Sequence, residues 1–67
     1  MPFVTVQMWE GRSAEQKAKV IAKVTAAVAE SIEVEPEYVT VLVQEHPKAN
    51  WGVGGKPSSE VFPDAGP

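Results

Sequence analysis

PFVTVQMWEGRSAEQK, residues 2–17, decides the fold. Val4, Val6 and Met8 alternate with Phe3, Thr5, Gln7 and Trp9, the period of a strand with two unlike faces. Glu10-Gly11-Arg12 then predicts a turn. Ser13 followed three residues later by Gln16 makes a capping box: the serine hydroxyl accepts from an orphan helix amide and the glutamine side chain reaches back. A helix is expected to begin at about Ala14.

Outward from that segment, Ala18, Ile21, Ala22, Thr25, Val28, Ala29 and Ile32 recur at spacings of three and four, which carries the helix to about Ile32 with a mostly apolar stripe. Glu15, Lys19, Lys23, Glu30 and Glu33 form a narrow polar strip, while Val20, Val24 and Ala27 widen the apolar side beyond one seam. Such a helix wants more neighbours than a two-strand monomer supplies. Glu35-Pro36 marks a break and a short turn. Tyr38 to Glu45 then alternates again, with Val39, Val41 and Val43 on one face and Tyr38, Thr40, Leu42 and Gln44 on the other. Strand, helix, strand at this length implies a parallel pair joined by a right-handed crossover.

His46-Pro47-Lys48-Ala49-Asn50 reads as a loop, with His46 on a solvated turn. Trp51-Gly52-Val53-Gly54-Gly55 is an aromatic residue followed by a glycine-rich turn, suited to a tight hairpin or to close approach of another chain. A phosphate cradle fits poorly, because no helix start is expected after it. From Lys56 onward the prolines, serines and glycines read as a poorly ordered tail.

The chain has 67 residues, room for one small domain. A chain of about this size buries only roughly 60% of its unfolded surface and usually needs reinforcement. With no cysteine and one histidine, neither disulfides nor a zinc cluster supplies it, so an obligate oligomer is expected. Six Lys and Arg stand against nine Asp and Glu, and the basic residues are scattered along the sequence, which argues against nucleic acid. No apolar run reaches the roughly 18 residues of a membrane span, and no signal peptide is evident, so a cytoplasmic location is the default expectation.

Ordinary catalytic equipment is sparse. Ser13 is explained as a cap and Ser58 and Ser59 as tail, and the one Asp, Asp64, also falls in the tail, so no Ser-His-Asp set is expected. Pro2 stands out because removal of Met1, readily trimmed before a residue as small as proline, would expose a secondary amine. Internal prolines have no basic lone pair. Arg12 is the one arginine, either a solvated turn residue or a fork for a carboxylate. Trp51 fits a subunit interface, a pocket wall, or both.

Pro2, the run Glu10-Gly11-Arg12-Ser13-Ala14-Glu15-Gln16-Lys17 and the turn Asn50-Trp51-Gly52-Val53-Gly54-Gly55 together resemble the 4-oxalocrotonate tautomerase family. The likeness runs through about residue 61, which sets a tautomerase-like domain at 1–61 and a flexible tail at 62–67. It implies an α+β fold: a β-α-β subunit with a parallel strand pair, crossover helix and short C-terminal hairpin. Such subunits pair into four-stranded sheets, most assembling as homohexamers built from three dimers, without a cofactor or metal.

By that resemblance Pro2 is the general base, moving a proton between an enol and carbon. A reference α-amino group has a pKa of about 8, and partial burial and a neighbouring cation both lower it. Arg12 corresponds to the arginine that binds a substrate carboxylate, often from a neighbouring subunit, and Trp51 to the aromatic wall that keeps the amine neutral. Thr40 stands where founding members carry a second arginine, and its hydroxyl can donate a hydrogen bond but brings no charge to a developing enolate. Lys48 is a candidate for the missing charge. The expected substrates are therefore 2-hydroxydienoate or phenylenolpyruvate-type carboxylates as much as the dicarboxylate 2-hydroxymuconate of aromatic catabolism. Dehalogenase relatives use a glutamate where Val53 falls, so haloacrylate dehalogenation or hydration ranks below tautomerisation. The alternative of another class is a non-catalytic oligomeric subunit that binds a small acid or a partner chain.

Overall fold

The computed structural model describes residues 1–63. Strand β1 (Phe3–Trp9) leads through a turn to helix α1 (Ala14–Ile32), and a 3-10 turn at Pro36–Tyr38 leads into β2 (Thr40–His46). β1 and β2 pair in parallel, with Val4 opposite Val41, Val6 opposite Val43 and Met8 opposite Glu45 on the half-buried face. Phe3, Thr5, Gln7, Thr40, Leu42 and Gln44 occupy the other face and are exposed. α1 covers the first face alone.

The capping box forms as expected: Gln16 N–H donates to Ser13 Oγ at 3.1 Å and Ser13 N–H to Gln16 Oε1 at 2.9 Å. At the other end Glu33 adopts the left-handed conformation, φ 56°, which lets its own N–H and that of Val34 reach the Ala29 carbonyl. β2 starts at Thr40 rather than Tyr38, because Tyr38 N–H and Val39 N–H are taken by Glu35 and Pro36 carbonyls in the preceding turn. Lys17 on α1 reaches Glu45 on β2 with an Nζ–Oε1 distance of 2.8 Å.

The face of α1 that meets the sheet is displaced from the predicted stripe. Val20, Val24, Thr25, Val28 and Ala29 are buried or half-buried, while Ala18, Ile21, Ala22 and Ile32 are exposed, Ile32 by 53%. The helix carries two apolar rows, and one strand pair can cover only one of them. Among the described residues only Ala29 and Ser58 are buried, so a single chain has almost no core of its own.

Lys56 onward is not a tail at its start. A 3-10 turn at Lys48–Asn50 leads to the two-residue strands β3 (Gly52–Val53) and β4 (Lys56–Pro57), an antiparallel hairpin, and then to the short helix α2 (Ser58–Val61). Gly54 and Gly55 make its turn at φ 60° and 87°, with nothing near enough to obstruct a side chain, so backbone conformation is what requires glycine there. Ser58, expected in the tail, is completely buried: its N–H donates to the Trp51 carbonyl at 2.7 Å and its Oγ to the Lys48 carbonyl at 2.8 Å. These bonds hold the hairpin against the preceding turn. Of the expected 62–67 tail, residues 64–67 lie outside the described residues, and Phe62 lies 5.9 Å from Trp9, ring centre to ring centre.

Candidate active site

Pro2 and Thr40 stand together at the start of the two strands, where Thr40 N–H donates to the Pro2 carbonyl at 3.0 Å. Pro2 is half-buried. Met1 before it is 91% exposed, so its side chain contributes little to packing within the chain.

Arg12 and Trp51 lie at the other end. Arg12 follows β1 in the turn to α1, half-buried, with Nη1 enclosed and without a hydrogen-bond partner among the described residues. A buried donor left unpaired costs about 1–3 kcal/mol, which makes this nitrogen a natural receiver for an oxygen brought from outside the chain. It lines a groove of about 500 Å³ with Met8, Gln16, Val20, Lys19 and Lys23. Lys17 lines it too, so the basic residues, scattered in the sequence, are concentrated in space: four of the six border this groove.

Trp51 closes the Lys48–Asn50 turn on the opposite side of the sheet. Trp9 meets it edge-on at 6.1 Å and the His46 ring at 6.3 Å, while Lys48 Nζ lies 4.9 Å from the centre of the Trp9 ring. Lys48 is thus held in this aromatic cluster at the strand ends rather than beside Thr40. Trp51, His46, Gln7, Asn50 and Gly52 border a second pocket of about 400 Å³. His46 is not on a solvated turn: it is the last residue of β2, half-buried, and bonded through Nε2 to Gln7 Oε1. Val53 in the hairpin is exposed.

The four predicted site residues therefore fall into two groups. At about 3.3 Å per residue, the seven residues of β1 set about 20 Å of strand between Pro2 and the turn that carries Arg12. Neither groove is lined by Pro2 or Thr40. Sequence reasoning left out Trp9, His46 and Gln7 as site neighbours; the only signal was that Trp9 and Gln7 share the strand face opposite Met8. Among the described residues no three His, Asp or Glu side chains are grouped to hold a metal ion, and no helix is long and apolar enough to cross a membrane.

A parallel strand pair, one covering helix and a small C-terminal hairpin are the fold of the 4-oxalocrotonate tautomerase structures that this chain resembles. The tautomerase enzyme family model matches residues 2–60, and the chain belongs to that family of enzymes. It is 44% identical over 61 residues to a 2-hydroxymuconate tautomerase of Comamonas testosteroni, covering 91% of this chain and 97% of the relative. Its backbone matches TomN, a 4-oxalocrotonate tautomerase homologue of the tomaymycin biosynthetic pathway, with a TM-score of 0.89 at 35% identity over 94% of this chain and 97% of that one. It also matches a heterohexamer 4-oxalocrotonate tautomerase from Chloroflexus aurantiacus, with a TM-score of 0.86 at 38% identity over 91% and 98% of the two chains.

Proposed function

We propose that this chain is a cofactor-free keto-enol tautomerase whose active site is shared between subunits. Pro2, once Met1 is removed, is the base; Arg12 of another subunit binds the substrate carboxylate; Trp51 forms the apolar wall; and Thr40 offers a neutral hydroxyl. The observation that carries this reading is the separation of Pro2 from Arg12 along β1. Among the described residues both strands have one unpaired edge, and an antiparallel pairing of two copies along β1 is the arrangement that sets the start of one strand against the end of the other. The near-absence of a core in one chain and the exposed Phe3, Leu42, Ile21 and Ile32 support further association, as a homohexamer of three dimers.

In this arrangement the enol carboxylate is held by the otherwise unpaired Arg12 donor, and the Pro2 amine takes a proton from the substrate and returns it to carbon. With Thr40 rather than a cation beside Pro2, developing charge on the substrate oxygen is met by a hydrogen bond alone. This favours 2-hydroxydienoates and enolpyruvates with a single carboxylate over dicarboxylates. A cytoplasmic location fits such metabolites.

The test is ketonisation of phenylenolpyruvate and 2-hydroxymuconate by protein whose intact mass shows that Met1 is gone. Pro2→Ala, with a pH profile to detect a substituting primary amine, should lower kcat by about 10²–10⁴, the usual contribution of a general base. Equal activity in Met1-retaining protein would remove Pro2 from the chemistry, whereas no ketonisation by Met-free protein would leave the non-catalytic binding subunit as the reading.

A further inference from the structure

The pocket at Trp51 contains a polar array that neither the base nor the carboxylate clamp uses. Gln7 and Gln44 face each other across β1 and β2 on the exposed sheet face, and Gln7 Nε2 donates to Gln44 Oε1. Gln7 Oε1 is then the acceptor left for His46 Nε2. With the Gln7 amide oriented this way, Nε2 is the nitrogen that carries the proton. In the neutral ring this leaves the lone pair on Nδ1, which has no hydrogen-bond partner among the described residues. The ring also meets Trp51 along its edge, so its orientation is set from two sides before any ligand arrives.

We propose that His46 is a specificity-determining residue that contacts substrate, selecting ligands with a flat apolar body and a hydroxyl at the end remote from the carboxylate. The body lies against Trp51, and the hydroxyl donates to His46 Nδ1. Gln7 and Gln44 are positioning residues that act through the imidazole. The assignment rests on the reading of Trp51 as the wall of the substrate pocket. It needs an acceptor, which an imidazole protonated at Nε2 alone offers at Nδ1.

The test compares (p-hydroxyphenyl)enolpyruvate with phenylenolpyruvate on Met-free protein. Wild type should prefer the hydroxylated substrate about five- to tenfold in KM with similar kcat, the worth of one hydrogen bond. His46→Phe keeps the ring edge against Trp51 and should bring the ratio to about one, while Gln7→Leu should reduce it and give a mixture of imidazole tautomers by ¹⁵N NMR. The chain has a single histidine, so that spectrum is unambiguous. A second arm needs no turnover: 4-hydroxyphenylacetate should move the Nδ1 resonance and phenylacetate should not. Absence of ketonisation with the Nδ1 shift present would sink the tautomerase reading and keep His46 as a hydroxyl acceptor. A substrate ratio near one in active wild type, or equal Nδ1 responses to the two acetates, overturns the role of His46.

Discussion

Pro2 and Arg12 stand at opposite ends of β1, one before its first residue and the other three residues beyond its last. The full length of β1 separates them. If both act on one substrate, each site takes them from different chains, and two defective subunits should repair each other. Co-assembly of Pro2→Ala with Arg12→Ala subunits should restore about a quarter of the wild-type kcat/KM, the fraction of sites that draw both intact residues in an equal mixture. Activity no higher than the sum of the separate mutants would show that each site uses a single chain.

Leu42 occupies the uncovered sheet face and is 43% exposed in the isolated chain. Association should bury it. Leu42→Asp then places an unpaired charge in an apolar interface, a cost of several kcal/mol, and should shift the assembly to smaller species by light scattering with ketonisation lost in parallel. An unchanged mass would show that this face does not carry the assembly.

Glu45 is held below the ordinary carboxylate range, chiefly by its hydrogen bond from Lys17, with the Lys17 charge and the Gly11 amide adding to the effect against some desolvation. A depressed folded-state value means that the unfolded chain binds the proton more readily. The resulting stability is present above the unfolded carboxylate value of about 4.3 and is lost as pH falls through the folded one. Urea midpoints should therefore fall on acidification below that value, and Glu45→Gln should flatten this limb. An unaltered acid limb in the mutant would assign it to other carboxylates.

Ser58 is buried, with its hydroxyl on the Lys48 carbonyl and its amide on that of Trp51. Ser58→Ala removes the first bond and should cost about 1 kcal/mol of stability, measured by urea unfolding. Because the same bonds brace the turn that carries Trp51, KM should rise as well. A fall in stability with KM unchanged would separate the brace from the pocket.

Glu33 ends α1 in the left-handed region, where a Cβ is disfavoured. Glu33→Gly should stabilise the protein by up to about 1 kcal/mol, since glycine adopts this geometry without steric penalty. A lowered unfolding midpoint would mean that the glutamate side chain contributes more than its backbone strain removes.

Local chemistry made much of this fold legible. The alternation in β1, the Ser13–Gln16 box and Pro36 act over a few residues, and each formed where the sequence placed it. What was hidden depends on distant partners. His46 reads as a loop residue until Gln7, 39 positions away, is set beside it by the strand register. Ser58 reads as tail because nothing near it in sequence shows that the Lys48 and Trp51 carbonyls will enclose it. The two apolar rows of α1 are alike in sequence, and only the position of β2 decides that Val24 rather than Ile21 turns inward. Arg12 was legible as a candidate, and the strand read between it and Pro2 already set the two at opposite ends; its Nη1, unpaired among the described residues, was not legible, because a motif gives spacing along the chain and not what encloses a side chain.

Met1 protrudes from the fold, 91% exposed in the isolated chain. Under the proposed assignment the newly translated polypeptide is a zymogen: it can fold and associate completely while its base is still masked as an amide. Loss of one exposed residue is the activating cleavage, and it needs no rearrangement of the body. A peptide tag fused ahead of Pro2 would keep the protein dormant however well it assembled.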